Sequence, residues 1–393
     1  MQGTKMEYKK INELTTVVTG GTPSTRKNEY WDNGDIPWLQ SGCCQNCDVD
    51  STEKYITKEG YNNSSTHMMS ADTVMIALTG ATAGKVGYLK FEACGNQSIT
   101  GILPCESLNQ RYLFFYLLSQ REKILADCVG GAQAHISQSY VKNMTIPILA
   151  IKEQEQIVGE LTKVSNIVSL RQEEIQQLDN LVKARFVELF GDIRCNNKLP
   201  LVKLSEFVNI GSSKRIYANE YVDKGVPFYR SKEIRELGTG MKPSVELYIK
   251  QERYDEIKEK YGVPKKGDIL IAAIGATIGY SWIVDTDTPF YYKDGNLIIL
   301  SIKNNVNPIF LNYTMRILIE DFKNKDVAGS AQLALTIEKL EKMMVVNPDI
   351  KLQNQFADFV HQVNKSKFDT MTFAPIYAII NLYLHTYFYQ GRR

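Results

Sequence analysis

Apolar and polar positions follow two distinct rhythms along this chain. In the first, Ile157, Leu161, Val164, Val168, Arg171, Ile175, Leu178, Val182, Arg185 and Leu189 fall at alternating steps of four and three, and eight of the ten are apolar. Glu, Gln and Lys fill the positions between, so the 3.5-residue period predicts the seam of a coiled coil, stopped by Gly191-Asp192. A helix from about Glu153 to Phe190 is about 57 Å long at a rise of about 1.5 Å per residue. Its seam needs a partner, and Phe356, Phe359 and Val363 begin a similar stripe near the other end of the chain. Two such helices packed antiparallel would hold globular parts at opposite ends of a rod.

The second rhythm is shorter. Strand-like runs (Thr15–Thr19, Thr73–Leu78, Val86–Phe91; Val202–Ile210, Ile269–Ile274, Leu297–Ile302) alternate with Gly, Asn and Asp turns. Helical stretches follow at Gln110–Ala126 and Ile309–Phe322. The expected fold is therefore α/β (α+β) globular domains separated by long helices packed as an antiparallel coiled coil.

The same order of features occurs twice. Ile36-Pro37-Trp38-Leu39-Gln40-Ser41 recurs as Val226-Pro227-Phe228-Tyr229-Arg230-Ser231, and Gly80-Ala81-Thr82-Ala83-Gly84 as Gly275-Ala276-Thr277-Ile278-Gly279. Gly95-Asn96 is matched to Gly295-Asn296, Gly131-Ala132-Gln133 to Ser330-Ala331-Gln332, and Ile151-Lys152-Glu153-Gln154 to Ile350-Lys351-Leu352-Gln353. The offset grows only from 190 to 200, so order and spacing are kept over a whole copy. Four segments result: residues 1–150, a first globular copy; 151–191, the central long helix; 192–349, a second copy; and 350–393, a C-terminal helix with an atypical apolar tail.

Composition adds a few exclusions. The 393 residues are 44% hydrophobic and 23% charged, which rules out wholesale disorder and collagen-like fibres. Lys+Arg 46 against Asp+Glu 44 excludes a polycationic tail, though a near-neutral total still permits local basic faces. Seven cysteines, an odd number, and no charged-then-apolar N-terminal signal point to a reducing, cytoplasmic compartment. From Thr370 to Gln390 there is no Asp, Glu, Lys or Arg. That run is long enough to span a bilayer at about 20 residues, but Pro375, Asn381 and His385 favour a buried aromatic helix, and a membrane partner is not expected.

Catalytic chemistry is missing. Gly80–Lys85 has three residues between its glycines and Val86 after the lysine, so it is read as a strand-to-strand turn and not a phosphate loop. No G-x-G-x-x-G follows a strand, and there is no G-x-S-x-G, H-E-x-x-H or Asn/Asp-Pro-Pro-aromatic tetrapeptide. The four histidines stand apart, and Cys43-Cys44-x-x-Cys47 has no second half-site to complete a zinc site. No metal, no cofactor and no catalytic residue are expected in this chain. That argues for binding.

The loops that open each copy suit phosphate and base-edge contact. Thr22, Ser24, Arg26 and Lys27 stand in the first; Ser213, Lys214 and Arg215 occupy the corresponding place in the second. Next come Gln40 and Ser41 against Tyr229, Arg230, Ser231 and Lys232. Small hydroxyls and backbone amides position phosphates, Gln prefers adenine and Arg prefers guanine, so the copies would read different sequences. Trp38 and Phe228 are expected in the core. Lys85, Gln133 and Gln332 complete the candidate DNA contacts.

Taken together, IPWLQSG/VPFYRSK, the apolar strand with GATAG/GATIG, GGAQ/GSAQ and the IPILAIKEQEQIV/VNPDIKLQNQFADFV starts of long helices resemble the specificity (S) subunit of type I restriction–modification systems. The resemblance runs from about Glu7 to Phe368 in both halves. It implies two target-recognition domains, each reading half of a bipartite asymmetric site in double-stranded DNA, with the paired helices as a ruler. It implies a subunit without catalytic activity that docks two methyltransferase (M) subunits, which use S-adenosylmethionine on adenine. Two restriction (R) subunits using ATP and magnesium would join them. Gln154 and Gln353 carry over as the glutamines at the helix starts. With Ile157, Leu161, Val164, Val168, Ile175, Leu178, Val182, Phe356, Phe359 and Val363 they are the candidate residues for helix–helix contact and M-subunit docking. A scaffold that has lost DNA readout, or a membrane-tethered variant, is the alternative reading. After Phe368 the sequence departs from the family: Phe373, Tyr377, Ile380, Leu384 and Tyr387 keep a seam, yet charge vanishes and Pro375 intrudes. Such a tail is expected to weaken the helix pair and the docking of one M subunit.

Overall fold

The computed structural model describes residues 7–127, 135–195, 199–303, 305–325, 334–371, 380, 382–384 and 387. The chain divides into two compact units, Met1–Glu173 with Thr372–Arg393, and Glu174–Met371. Gln133 and Gln332 lie outside the described residues.

In the first unit, the fully buried runs Val74–Ala77, Val86–Leu89 and Ile99–Ile102 form the middle of a five-stranded sheet. Its order is Val17–Thr19, Ile99–Ile102, Val74–Ala77, Val86–Leu89, Cys47–Val49, antiparallel except for the last pair. Burial at every position along these runs is what a sheet covered on both faces shows. A smaller sheet orders Tyr55–Ile56, Ile36–Leu39 and Cys94–Gly95. The edge strand Cys47–Val49 is clasped by Arg111, whose guanidinium makes a two-pronged bond to Asp48 (2.5 and 2.6 Å) while lying 3.6 Å over the Tyr88 ring.

The second unit repeats this plan, with a further strand, Tyr221–Val222, in its smaller sheet and one exchange at the edge of the larger. Its larger sheet runs Val208–Gly211, Leu297–Ile302, Ile269–Ala272, Ser281–Ile283, all antiparallel. Where the first unit adds a fifth strand, the second packs the helix Ser231–Gly238 against Ser281–Ile283. Gly238 permits this, because a Cβ there would stand 2.1 Å from the Ser281 carbonyl oxygen. Both glycine motifs are one-turn links between antiparallel strands, with Gly80 at φ +71° and Gly275 at +67°, conformations that favour glycine. The turn reading of Gly80–Lys85 is thus what the structure shows.

Two expected elements break. Val202–Ile210 is not one strand: Leu201–Lys203 and Val208–Gly211 flank a helical turn, Leu204–Phe207, whose Glu206 accepts from the Lys203 amide (3.1 Å). Gln110–Ala126 is two helices, Gln110–Ser119 and Arg121–Ala126, while the second copy keeps one, Pro308–Lys325. The repeat is also corrected at one point. The amide of Asn96 donates to the Leu39 carbonyl (2.8 Å), and in the second unit the amide of Lys293 donates to the Tyr229 carbonyl (2.9 Å). Asn96 therefore corresponds to Lys293, an offset of 197, and the match of Gly95-Asn96 to Gly295-Asn296 was a coincidence of composition.

The central helix is continuous from Ile151 to Phe190, 40 residues, or about 60 Å at about 1.5 Å per residue. In the first unit Ile157 and Leu161 are fully buried together with Leu113, Ile380 and Leu384, and the Tyr383 hydroxyl bonds to Glu160. In the second unit its last turns pack against the helix Ile350–Met371. Phe186 and Phe356 rings lie 5.3 Å apart, and Lys367 Nζ reaches Asp179 Oδ1 at 2.5 Å. Moving back from Phe186 to Asp179 is moving forward from Phe356 to Lys367, so these two helices are antiparallel neighbours within that unit. The seam itself drifts. Val182, Phe186 and Phe190 are the buried positions at the end, not the Arg185 and Leu189 that a strict heptad dictates. An undistorted α-helix slips about 20° per heptad against a 3.5 period, and here the aromatic core of the second unit captures the slipped face.

Candidate nucleic-acid interface

Each globular copy carries a loop cluster at the ends of its sheets. In the first unit, Thr22 and Gln40 come together in an open cleft of about 800 Å³ that also takes in Trp31, Trp38, Asn96 and Gln97. Trp38 is a core aromatic as expected: it is buried, its indole N–H donates to the Gly21 carbonyl (3.0 Å), and Trp31 packs edge-on at 5.1 Å. The tryptophan thereby pins the glycine loop beneath the exposed Ser24, Arg26 and Lys27. Thr22 Oγ1 donates to Gln97 Oε1 at 2.6 Å. Lys27 bonds the Tyr30 hydroxyl (3.0 Å), which raises its pKa, with Glu29 3.6 Å away. Arg26 has no hydrogen-bond or ion-pair partner among the described residues. Ser41 begins the turn Ser41–Cys43, and Lys85 Nζ is held by Gln45 Oε1 at 2.6 Å.

In the second unit, Ser213 and Lys214 line a cleft of about 620 Å³ with Tyr261, Lys265, Asp268 and Tyr291. The Lys214 amide donates to the Tyr291 hydroxyl (2.6 Å), and its ammonium lies 5.3 Å over the Tyr261 ring. Burial pushes the Asp268 carboxyl up, against the lowering effect of the Lys265 amide it accepts from (2.9 Å). Arg215 stands out to solvent, its Nε bonded to Asp294 Oδ2 at 2.7 Å.

Several expected contacts are spent inside the protein. Phe228 is a core aromatic as expected, but so is Tyr229, stacked at 4.9 Å on Phe290, and it cannot reach a base. Arg230 bonds Glu233 (3.0 Å) and Glu246 (2.8 Å), and Lys232 bonds Glu246 (2.6 Å). These two carboxylates, Glu233 first, raise the Arg230 pKa, and Lys232 followed by Arg230 holds Glu246 down at about 2. The Ser213 and Ser231 hydroxyls are buried without a partner among the described residues, so neither is presented to a phosphate. The sequence offered no sign of Glu246, which lies sixteen residues from Arg230 in a loop.

Gln154 and Gln353 are likewise interior and do not face a partner. Both are fully buried, and each amide does the same job in its unit. Gln154 Oε1 accepts from the Asn109 amide (2.8 Å) and its Nε2 donates to the Leu149 carbonyl (2.9 Å). Gln353 Oε1 accepts from the Asn307 amide (2.9 Å) and its Nε2 donates to the Pro348 carbonyl (2.9 Å). Asn109 and Asn307 in turn cap the helices Gln110–Ser119 and Pro308–Lys325. Of the predicted seam, Ile157, Leu161, Val168, Val182, Phe356 and Val363 are buried, and Val164, Ile175, Leu178 and Phe359 partly so. Among the described residues, no group of three or more His, Cys, Asp or Glu could hold a metal ion, and no helix is long and apolar enough to cross a membrane.

Two mixed α/β units built on one plan, each carrying a polar loop cluster of its own chemistry, define a duplicated α/β protein with a long helix between the copies in sequence. The family model for the type I restriction modification DNA specificity domain matches residues 4–180 and again 198–375, and the chain belongs to this family of specificity subunits. It is 32% identical over 170 residues to the EcoR124I/EcoR124II specificity subunit of Escherichia coli, covering 42% of this chain and 42% of that one. A putative type I specificity subunit of Haemophilus influenzae is 26% identical over 380 residues, covering 95% and 90%. Among solved structures, the S subunit of a type I system from M. genitalium matches with a TM-score of 0.53 at 17% identity, over 98% of this chain and 96% of that one. At that identity the likeness speaks for the fold.

Proposed function

We propose that this chain reads a bipartite, asymmetric DNA site, one half with each globular copy, and has no catalytic activity of its own. The observation that carries this is the pairing of one backbone frame with two loop chemistries, amide-rich in the first copy and cationic in the second. Amides favour adenine edges and guanidinium groups favour guanine, so the copies are suited to different half-sites. Exposed Arg26, Lys27 and Lys214 supply sequence-independent phosphate attraction. The central helix and the helix from Ile350 would form an antiparallel pair that fixes the spacing between half-sites. Domain limits of 1–150, 151–191, 192–349 and 350–393 fit this division of labour. Two M subunits would bring S-adenosylmethionine chemistry to adenine, and two R subunits ATP, magnesium and cleavage, in a cytoplasmic complex.

Mapping methylated adenines by single-molecule sequencing in cells that make this chain with its M subunit tests the proposal. A bipartite motif with a fixed spacer is the expected result. A purified M–S complex that leaves no such motif would falsify it.

A further inference from the structure

We infer that Gln97 in the first copy and Arg215 in the second are base readers, each held by the loop–loop tie that the two copies share but on opposite sides of it, and that Asp294 is the positioning residue that aims Arg215 at a guanine. This rests on the DNA-reading proposal above.

Strand register establishes the equivalence. Ala77 pairs with Ile99 and Ala272 with Leu297, so Ile102 corresponds to Leu300. Val17 pairs with Ile102 and Ile210 with Leu300, which makes Val17 the counterpart of Ile210 and, five residues on, Thr22 the counterpart of Arg215. The matched amides of Asn96 and Lys293 make Gln97 the counterpart of Asp294. At the same place in both copies, then, one loop is tied to the other by one side-chain bond. In the first copy it is neutral, Thr22 to Gln97 at 2.6 Å; in the second it is ionic, Arg215 to Asp294 at 2.7 Å.

What each tie leaves over is the reading head. Arg215 is anchored through Nε alone, and its side chain is 64% exposed against 16% for Asp294. Its two terminal amino groups have no partner among the described residues, and side by side they match guanine O6 and N7. Gln97 is exposed, with Nε2 free of any partner among the described residues and one lone pair of Oε1 left, which suits adenine N7 and N6. Thr22 and Asp294 remove rotamer freedom from their partners before DNA arrives. Arg230 is the contrasting case, because Glu233 and Glu246 already occupy its guanidinium.

The test uses the full chain in complex with its M subunit, and reads out both the methylated motif and binding to a panel of single-base variants of the site. Arg215→Ala, Arg215→Lys and Asp294→Ala should all relax the same one base pair, a G·C, by roughly ten- to hundredfold in discrimination. The other half-site and the spacer should stay as they were. Arg215→Lys keeps the charge and should leave the salt dependence intact, which separates lost readout from lost attraction. Gln97→Ala should relax one A·T in the opposite half-site. An unchanged motif in Arg215→Lys and Gln97→Ala, with the complex assembled, overturns the inference while DNA reading stands. A parent complex that binds all sequences alike overturns both.

Discussion

Two buried glutamines do the same work in both copies, and their value is open to measurement. Gln353→Ala removes a bond from the Asn307 amide and one to the Pro348 carbonyl, in a site closed to water. Leaving that amide unpaired should cost about 1–3 kcal/mol, read as a lower denaturant midpoint for the second unit. Gln154→Ala should do the same to the first unit, and the double variant should be close to additive, since the two sites share no partner. Glu246 makes a prediction of another kind. Lys232 and Arg230 hold its carboxyl at about 2 against an ordinary 4.5. A depressed acid stabilises above its unfolded value, so this contribution is complete above pH 4.5 and is lost as pH falls from there towards 2. Glu246→Gln abolishes that pH dependence and releases Lys232, while Arg230 stays bonded to Glu233. In DNA titrations the slope of log K against log salt should steepen by about 0.9 per new phosphate contact. An unchanged slope would mean that Lys232 does not face the duplex. Arg230 illustrates the limit of motif reading: its neighbours in sequence advertised a free base reader, while Glu233, three residues on, and Glu246, from a loop no local pattern could place, together neutralise it.

At the scale of elements, periodicity was a good guide until a tertiary core competed with it. The buried face at Ile157, Leu161 and Val182 is the one the heptad predicts, because apolar groups there have a partner to cover them. The last two turns obey a different rule. Phe186 contacts Phe190, Phe310, Tyr313 and Phe356, an aromatic cluster supplied by a strand-and-helix domain that the helix's own sequence does not describe. Phe186→Ala should therefore destabilise the second unit by about 3–5 kcal/mol, as a large buried ring does. Leu189→Ala, at the position a strict heptad would bury, should cost clearly less. Equal losses in thermal or urea unfolding would restore the heptad register. The split of Val202–Ile210 has a similar cause. Its apolar residues suit a strand, but Glu206 closes a one-turn helix by reaching back three residues, a local bond that a count of hydrophobic positions does not register.

On the scale of the whole molecule, the duplication was plain in the sequence because order and spacing survive even where individual residues do not. In the tail, the buried aromatic segment that its uncharged sequence suggests is met at Ile380 and Leu384, which lie in the core of the first unit, with Tyr383 bonded to Glu160. Uncharged, aromatic sequence is what a segment needs in order to be swallowed by a core. Removing residues 372–393 uncovers Ile157 and Leu161, and at about 1.5–3 kcal/mol per buried aliphatic side chain the first unit should lose roughly 3–6 kcal/mol. Hydrogen exchange should show that loss in residues 110–161 and spare the second unit. Uniform protection throughout would mean that the tail adds nothing.

That arrangement has a consequence in time. Leu384 leaves the ribosome 223 residues after Leu161, yet the two belong to one core. At about 5–20 residues per second, the nascent chain carries an uncovered apolar stripe for roughly ten to forty-five seconds while the second unit is made and folded inside the unfinished first one. A chaperone, or a partner protein synthesised alongside, has that interval in which to act, and a polysome is where aggregation of this protein would begin.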